Sequence, residues 1–212
     1  MKSFLLILSL LIGSWAWAQK RFSEGIISFY VETEVNGVKE VLSLNGVCFF
    51  KGAHYRSNLI SSLGSSTTIF DAREGVGAVF HELGSQKVLI NLNRDQWTDR
   101  NSLLKNKELV FSLTGDTSSI LGYNCQKAVA VLSDSSQLEV LYTSEILPEN
   151  TDTEWQFQQL EGLVLFVKMV KRDATVIFKA SALNFDPVPI QKFDVPNSGY
   201  RIMDYEESKK WR

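Results

Sequence analysis

The chain has 212 residues, with 22 Lys and Arg against 24 Asp and Glu for a net charge of −2, and 44% of its residues are hydrophobic. That balance excludes the dense basic face that nucleic-acid binding demands, and 13 Phe with 4 Pro describe a packed globule rather than a disordered linker. A chain this long buries roughly 70% of its unfolded surface, so one domain can fold without disulfides or metal.

Residues 1–18 read as an export signal. Lys2 supplies the positive start, Phe4 to Ile12 the apolar run, and Ala16-Trp17-Ala18 the small residues a signal peptidase reads, predicting a cut between Ala18 and Gln19. The run is shorter than the about 20 apolar residues a membrane-spanning helix needs, and no comparable stretch follows, so no transmembrane span is expected. No cysteine stands at the cut to carry a lipid anchor. The expectation is a soluble exported protein comprising residues 19–212 as one β-rich domain, periplasmic by default, with secretion as the alternative.

From there a two-residue period dominates. Ile27, Phe29, Val31 and Val35 share one face of a first strand, Asn36-Gly37 is a hairpin signal because both residues tolerate positive φ, and Val38 to Lys51 returns as a second strand. Further strands are predicted over Ala53 to Ile60, Ser66 to Asp71, Val76 to Glu82 and Gln86 to Leu92, each break carrying a glycine. This spacing describes an antiparallel meander rather than βαβ units. Asn93 to Lys107 is polar and reads as a loop with at most one helical turn. Strands resume over Glu108 to Leu113, Tyr123 to Ser133, Gln137 to Ile146, Leu163 to Arg172 and Thr175 to Phe185. Between them, Thr153-x-x-Gln156 fits a capping box for a short helix ended by Gly162. Pro187, Pro189 and Pro196 punctuate a last short strand, and the charged tail, residues 203–212, is expected to fray.

Several C-terminal strands are apolar on both faces: Leu163, Leu165, Val167 and Met169 alternate with Val164, Phe166 and Val170. Such strands need cover on both sides. The fold class expected is therefore mainly β, a single curved antiparallel sheet forming an open half-barrel, with one or two short helices.

With the strands placed, Leu121-Gly122-Tyr123-Asn124-Cys125-Gln126-Lys127-Ala128 resembles the "LGYxCxKA" segment of the exported envelope proteins known as the GLPGLI family, whose function is unknown. Val140 to Ile146 resembles their following strand, and Leu160-Glu161-Gly162-Leu163-Val164-Leu165 occupies the place of their naming motif without its proline. Glu24 to Tyr30 and Phe193 to Pro196, followed by Gly199-Tyr200-Arg201, fit as well. The chain is thus similar to a divergent member, and the group is similar in fold to LolA-like lipoprotein carriers, whose unclosed sheet covers an apolar cavity. The resemblance implies no established activity and no catalytic residues.

A search for chemistry gives little. His54 and His81 are the chain's two histidines, no Gly-x-Ser-x-Gly elbow presents a serine, and neither His-x-x-x-His nor Cys-x-x-Cys offers metal spacing, so no catalytic, metal or cofactor site is predicted. Gly75-Val76-Gly77 reads as a turn rather than a phosphate loop, and Glu206-Glu207 as solubilising charge. Cys48 and Cys125 leave two readings open. Export permits a bridge closing a loop of about 77 residues, worth about 4 kcal/mol, and free cysteines are equally at home as small buried residues on strands.

Phe166, Met169, Ile177 and Phe178 either line a cavity able to take an acyl chain or belong to ordinary core. The expected function is a non-enzymatic protein that binds or carries a hydrophobic ligand, an acyl lipid or a lipoprotein. The alternative is an envelope interaction module pairing through exposed strand edges, and a hydrolase is the least favoured reading.

Overall fold

The computed structural model describes residues 19–36, 38–101, 109–132, 135–149, 157 and 159–210, leaving aside the side chains of residues 39–44. The expected leader and the capping-box helix at Thr153 lie outside the described residues. After a short β1 (Lys20–Phe22), two-residue alternation produces a long run of hairpins: β2 (Glu24–Val35), β3 (Val38–Lys51), β4 (His54–Ser61), β5 (Gly64–Asp71), β6 (Val76–Leu83) and β7 (Gln86–Leu92). Helix α1 (Arg94–Arg100) follows, then β8 (Ser112–Ile120), β9 (Tyr123–Val131), β10 (Gln137–Thr143), β11 (Ile146–Pro148), β12 (Leu163–Val170) and β13 (Ala174–Asn184). A 3-10 turn (Ile190–Phe193), β14 (Arg201–Ile202) and helix α2 (Tyr205–Lys209) complete the chain.

Twelve strands form one sheet in the order β14-β7-β6-β5-β4-β3-β2-β13-β12-β10-β9-β8. Every ladder in it is antiparallel except β14 on β7, and β1 pairs with β11 in a separate parallel ribbon. The sheet is curved and its ends do not meet. Laid flat it would extend on the order of 50 Å and leave one face wet, yet Ile27, Cys48, Val79, Ile90, Cys125, Val140 and Leu165, drawn from across that width, are buried in one contiguous core. Curling the sheet around its own apolar face is what achieves this, as the two-faced strands predicted.

Turn chemistry sets the hairpin ends. Asn36 takes a φ of 51°, the left-handed conformation that the Asn-Gly signal requires. Helix α1 exceeds the single turn expected, because Asn93 and Gln96 form a reciprocal capping box at its start and Trp97 anchors it in the core.

Three expectations are corrected. The seventh hairpin strand that sequence placed over Glu108 to Leu113 is β8, Ser112–Ile120. Its residues are exposed except Ile120, so no apolar alternation marks it. The last short strand among the prolines is instead the 3-10 turn, with β14 beyond it. The tail does not fray over residues 203–210: Met203 and Tyr205 are 1% and 4% exposed, Met203 N–H donates to Leu89 O at 2.9 Å, and Tyr205 Oη donates to Asp99 Oδ2 at 2.7 Å. Two apolar anchors set among charges escaped the reading of the tail as uniformly polar. The cysteines are unbridged thiols, both buried, on β3 and β9 with four strands between them.

Candidate functional site

The ladder register separates the four residues predicted to line a cavity. Val167 pairs with Phe178, which pairs with Val31, and Met169 pairs with Val176, so Met169 and Phe178 lie on the inner, core-facing side. Ile177 pairs with Lys168 and Glu32 on the outer side, and Phe166, paired with Leu141 and Lys179, belongs to that row while touching the core. They do not meet around one space. The inner face is filled instead: Phe29, Tyr55, Leu163 and Leu165 are each almost wholly buried.

The histidines are split in the same way. His81 pairs with Ser66 and buried Val88 on the inner side, where desolvation first and the Arg100 charge second lower its pKa. His54, paired with Asp71, lies on the outer side. Among the described residues no group of three or more His, Cys, Asp and Glu could hold a metal. Gly75, at φ 70°, makes the β5–β6 turn, and Glu206-Glu207 sit in the first turn of α2 against Lys209 and Arg201.

What the sequence did not disclose is a second apolar cluster on the outer face. The register aligns Ile26, Phe49, Arg56, Ile69, Ala78 and Asn91 in one row across β2 to β7, and Phe80 with Leu89 in the next. The segment after β13 crosses this row as a strap, burying Val188 and Phe193 against Ile69, Ala78, Phe80 and Leu89. Three polar tethers hold it. The Glu24 carboxylate accepts the Val188 N–H at 2.5 Å and pairs with Lys51, Arg56 Nη1 donates to Lys192 O at 2.7 Å, and Tyr200 Oη donates to Glu82. The Lys51 hydrogen bond lowers the Glu24 pKa, with the Val188 N–H helping, and the Tyr200 hydroxyl lowers that of Glu82. Burial, and then the Glu82 carboxylate, push Tyr200 up to about 12. Desolvation lowers the Arg56 pKa.

Between the strap, the outer row and the start of α1 lies a cavity of about 660 Å³. Ile69, Ala78 and Phe193 form its floor, while Val76, Ile190 and Val195 line it as large aliphatic groups that remain 45%, 45% and 40% exposed. Its polar groups gather towards the turn end of the strands. His54 Nδ1 stands 3.5 Å from Asp71 Oδ2, with Asn91, Asn93, Gln96 and Asp194 around them. Two strand residues with their side chains outward, an asparagine of β7, a helix cap and the strap therefore converge on one site. The cavity is apolar with a polar end.

These features define a class: an open, curled antiparallel sheet whose core fills the inner face and whose strap encloses a cavity on the outer face. Residues 83–194 match the family described as N-glycanase peptide, N-terminal domain. The chain belongs to that family. Among solved structures, it is similar to PNGF-II in a P21 space group, at 18% identity and a TM-score of 0.51, over 88% of this chain and 33% of that one. It thus spans about a third of the length of that relative. An uncharacterised conserved protein from Thermus thermophilus matches at 11% identity and a TM-score of 0.50, covering 95% of this chain and 99% of its own. The Mycobacterium tuberculosis lipoprotein LppX is more distant, at 11% identity and a TM-score of 0.36, covering 78% and 88%. For the first two of these the likeness is one of fold. No curated protein matches the chain, and the GLPGLI likeness stays a resemblance. Among the described residues no helix is long and apolar enough to cross a membrane.

Proposed function

We propose that this protein is a non-catalytic exported module that holds the apolar part of an amphiphile, an acyl lipid or the lipid moiety of a lipoprotein, in the cavity under the strap. The observation that carries the reading is the cavity itself. At about 660 Å³ it falls in the range of small-molecule sites, and its apolar floor gives an acyl chain the escape from water that drives binding. The exposed aliphatic side chains of Val76, Ile190 and Val195 give that chain an apolar entry. The filled inner face offers no comparable space among the buried residues named above. Titration with a fluorescent acyl probe, paired with native mass spectrometry of the protein from its own envelope, tests this. A saturable site is expected, weakened about tenfold by Ile190→Asp and unmoved by Leu121→Asp, an exposed position on the far β8–β9 turn. Absence of a saturable site, or equal effects of the two variants, rejects the reading.

Strand β8 favours a second reading, an interaction module. Among the described residues it pairs with β9 on one side and with nothing on the other, and its free edge could accept a partner strand. Because the family is named for the N-terminal domain of an N-glycanase, the partner class this reading takes is an N-glycanase chain. Thr117→Pro, which cannot donate from that edge, should abolish co-purification while leaving acyl binding intact; retention of the partner would reject this reading.

A further inference from the structure

We infer that the strap cavity selects an amphiphile with an uncharged, hydroxyl-bearing head group, a glycolipid or alkyl glycoside, and discriminates against a carboxylate or phosphate head. This rests on the proposed reading of the cavity and names the class of head group it accepts. The warrant is which hydrogen-bonding groups remain available at the polar end. Asn93 Oδ1 accepts Gln96 N–H at 2.9 Å and Gln96 Oε1 accepts Asn93 N–H at 3.0 Å, so the capping box engages both amide oxygens and orients the two side chains. Their two NH₂ groups are left as donors. Asp71 uses Oδ1 for the turn, accepting from Arg73 N–H at 2.9 Å and Glu74 N–H at 3.2 Å, and presents Oδ2 beside His54. Asp194 adds a second carboxylate on the strap side.

Donors and charged acceptors therefore stand side by side. Among the described residues that line the cavity none is Lys or Arg, and the neighbouring Arg94 and Arg56 guanidinium groups are engaged by Glu74 O and Lys192 O, so an anionic head would meet two carboxylates in the lining and no lining cation. A quaternary ammonium head would be drawn by those carboxylates but would leave the amide donors without an acceptor. A hydroxyl both donates and accepts, and an array of them satisfies both sets. The apolar floor of Ile69, Ala78 and Phe193 takes the chain, and the Phe193 ring, with its centroid 5.6 Å from that of His54, lies where floor and polar end meet.

The full exported chain is titrated, below micelle-forming concentrations, with dodecyl maltoside, dodecanoate, dodecyltrimethylammonium and maltose, by calorimetry. Dodecyl maltoside is expected to bind about tenfold or more tighter than each of the other three. Asp194→Ala, at an exposed position, should weaken the maltoside about fivefold and leave dodecanoate no weaker. If none of the four binds, the acyl-binding reading fails and this inference with it. If dodecanoate or the ammonium amphiphile binds as tightly as the maltoside, or if Asp194→Ala leaves the ratio unchanged, the acyl-binding reading stands and the head-group assignment falls. Equal binding of free maltose would overturn both, because the apolar floor would then contribute nothing.

Discussion

Trp97 stacks on Phe70 with ring centroids 4.0 Å apart and planes 6° from parallel, and the stack exists because residue 77 has no side chain. A Cβ at Gly77 would lie 2.7 Å from the Trp97 ring and 2.9 Å from Ile69 O. Gly77→Ala must therefore displace α1, which also carries Gln96 at the cavity. Destabilisation of about 2 kcal/mol is expected, read as a lower urea midpoint with an unchanged slope. A variant as stable as the parent would show that the stack is not set by this close approach.

The docked tail makes a second expectation. Met203 is buried against the core and its N–H continues the β7 ladder, so Met203→Ala should cost about 2–3 kcal/mol. Tyr205→Phe, which removes the hydroxyl donating to Asp99, should cost about 1 kcal/mol. Denaturant unfolding of the two variants checks both values; wild-type stability of Met203→Ala would mean that the tail is not part of the folded domain.

The strap tethers respond to pH at opposite ends of the scale. The folded state depresses the Glu24 pKa, so its contribution is present above the usual carboxylate pKa and lost as pH falls through the depressed value. Protection of the Val188 amide against hydrogen exchange, corrected for intrinsic rate, should fall in acid, and Glu24→Gln should remove that dependence. Tyr200 is raised to about 12, so its contribution is full below the usual tyrosine value near 10 and lost as pH rises through about 12. In an ultraviolet titration Tyr200 should ionise late, and Tyr200→Phe should remove one tyrosine's amplitude from the step near pH 12.

Burial raises the Cys125 thiol to about 11, and Cys48 packs beside Tyr55 Oη at 3.6 Å. Neither should react with an alkylating agent in the native protein at neutral pH. After unfolding, both should take up label equally with and without reductant. Labelling that requires reductant would show a bridge and contradict the unbridged thiols.

The meander, the Asn36 turn and the need for a curled sheet were legible because inner-face positions of β2 such as Ile27, Phe29 and Val31 alternate with Ser28, Tyr30 and Glu32. The site was not. Ile69, Ala78, Phe80 and Leu89 lie on strands whose inner neighbours Phe70, Val79, Val88 and Ile90 are also apolar, so alternation does not say which face is covered or by what. The covering residues Val188 and Phe193 arrive from distant sequence, in a proline-punctuated segment that carries no period. Ile177 and Phe178 show the same limit. Both are apolar, and the pairing partners Lys168 and Val167, rather than either residue's own chemistry, separate the outer row from the inner one. The tail misled for a third reason: in α2 the buried positions Tyr205 and Ser208 are outnumbered by charges.

The central claim is that ligand occupies the outer cavity under the strap and not the hollow of the sheet. Methyl-resolved NMR of protein labelled at Ala, Ile, Leu and Val, titrated with dodecyl maltoside, reads this directly. The methyl groups of Val76, Ala78, Ile190 and Val195 should shift together and saturate, while those of Ile27, Val140 and Leu165 stay in place. Saturable shifts at Ile27, Val140 and Leu165 with none at Ala78 and Ile190 would put the ligand on the inner face and contradict the account.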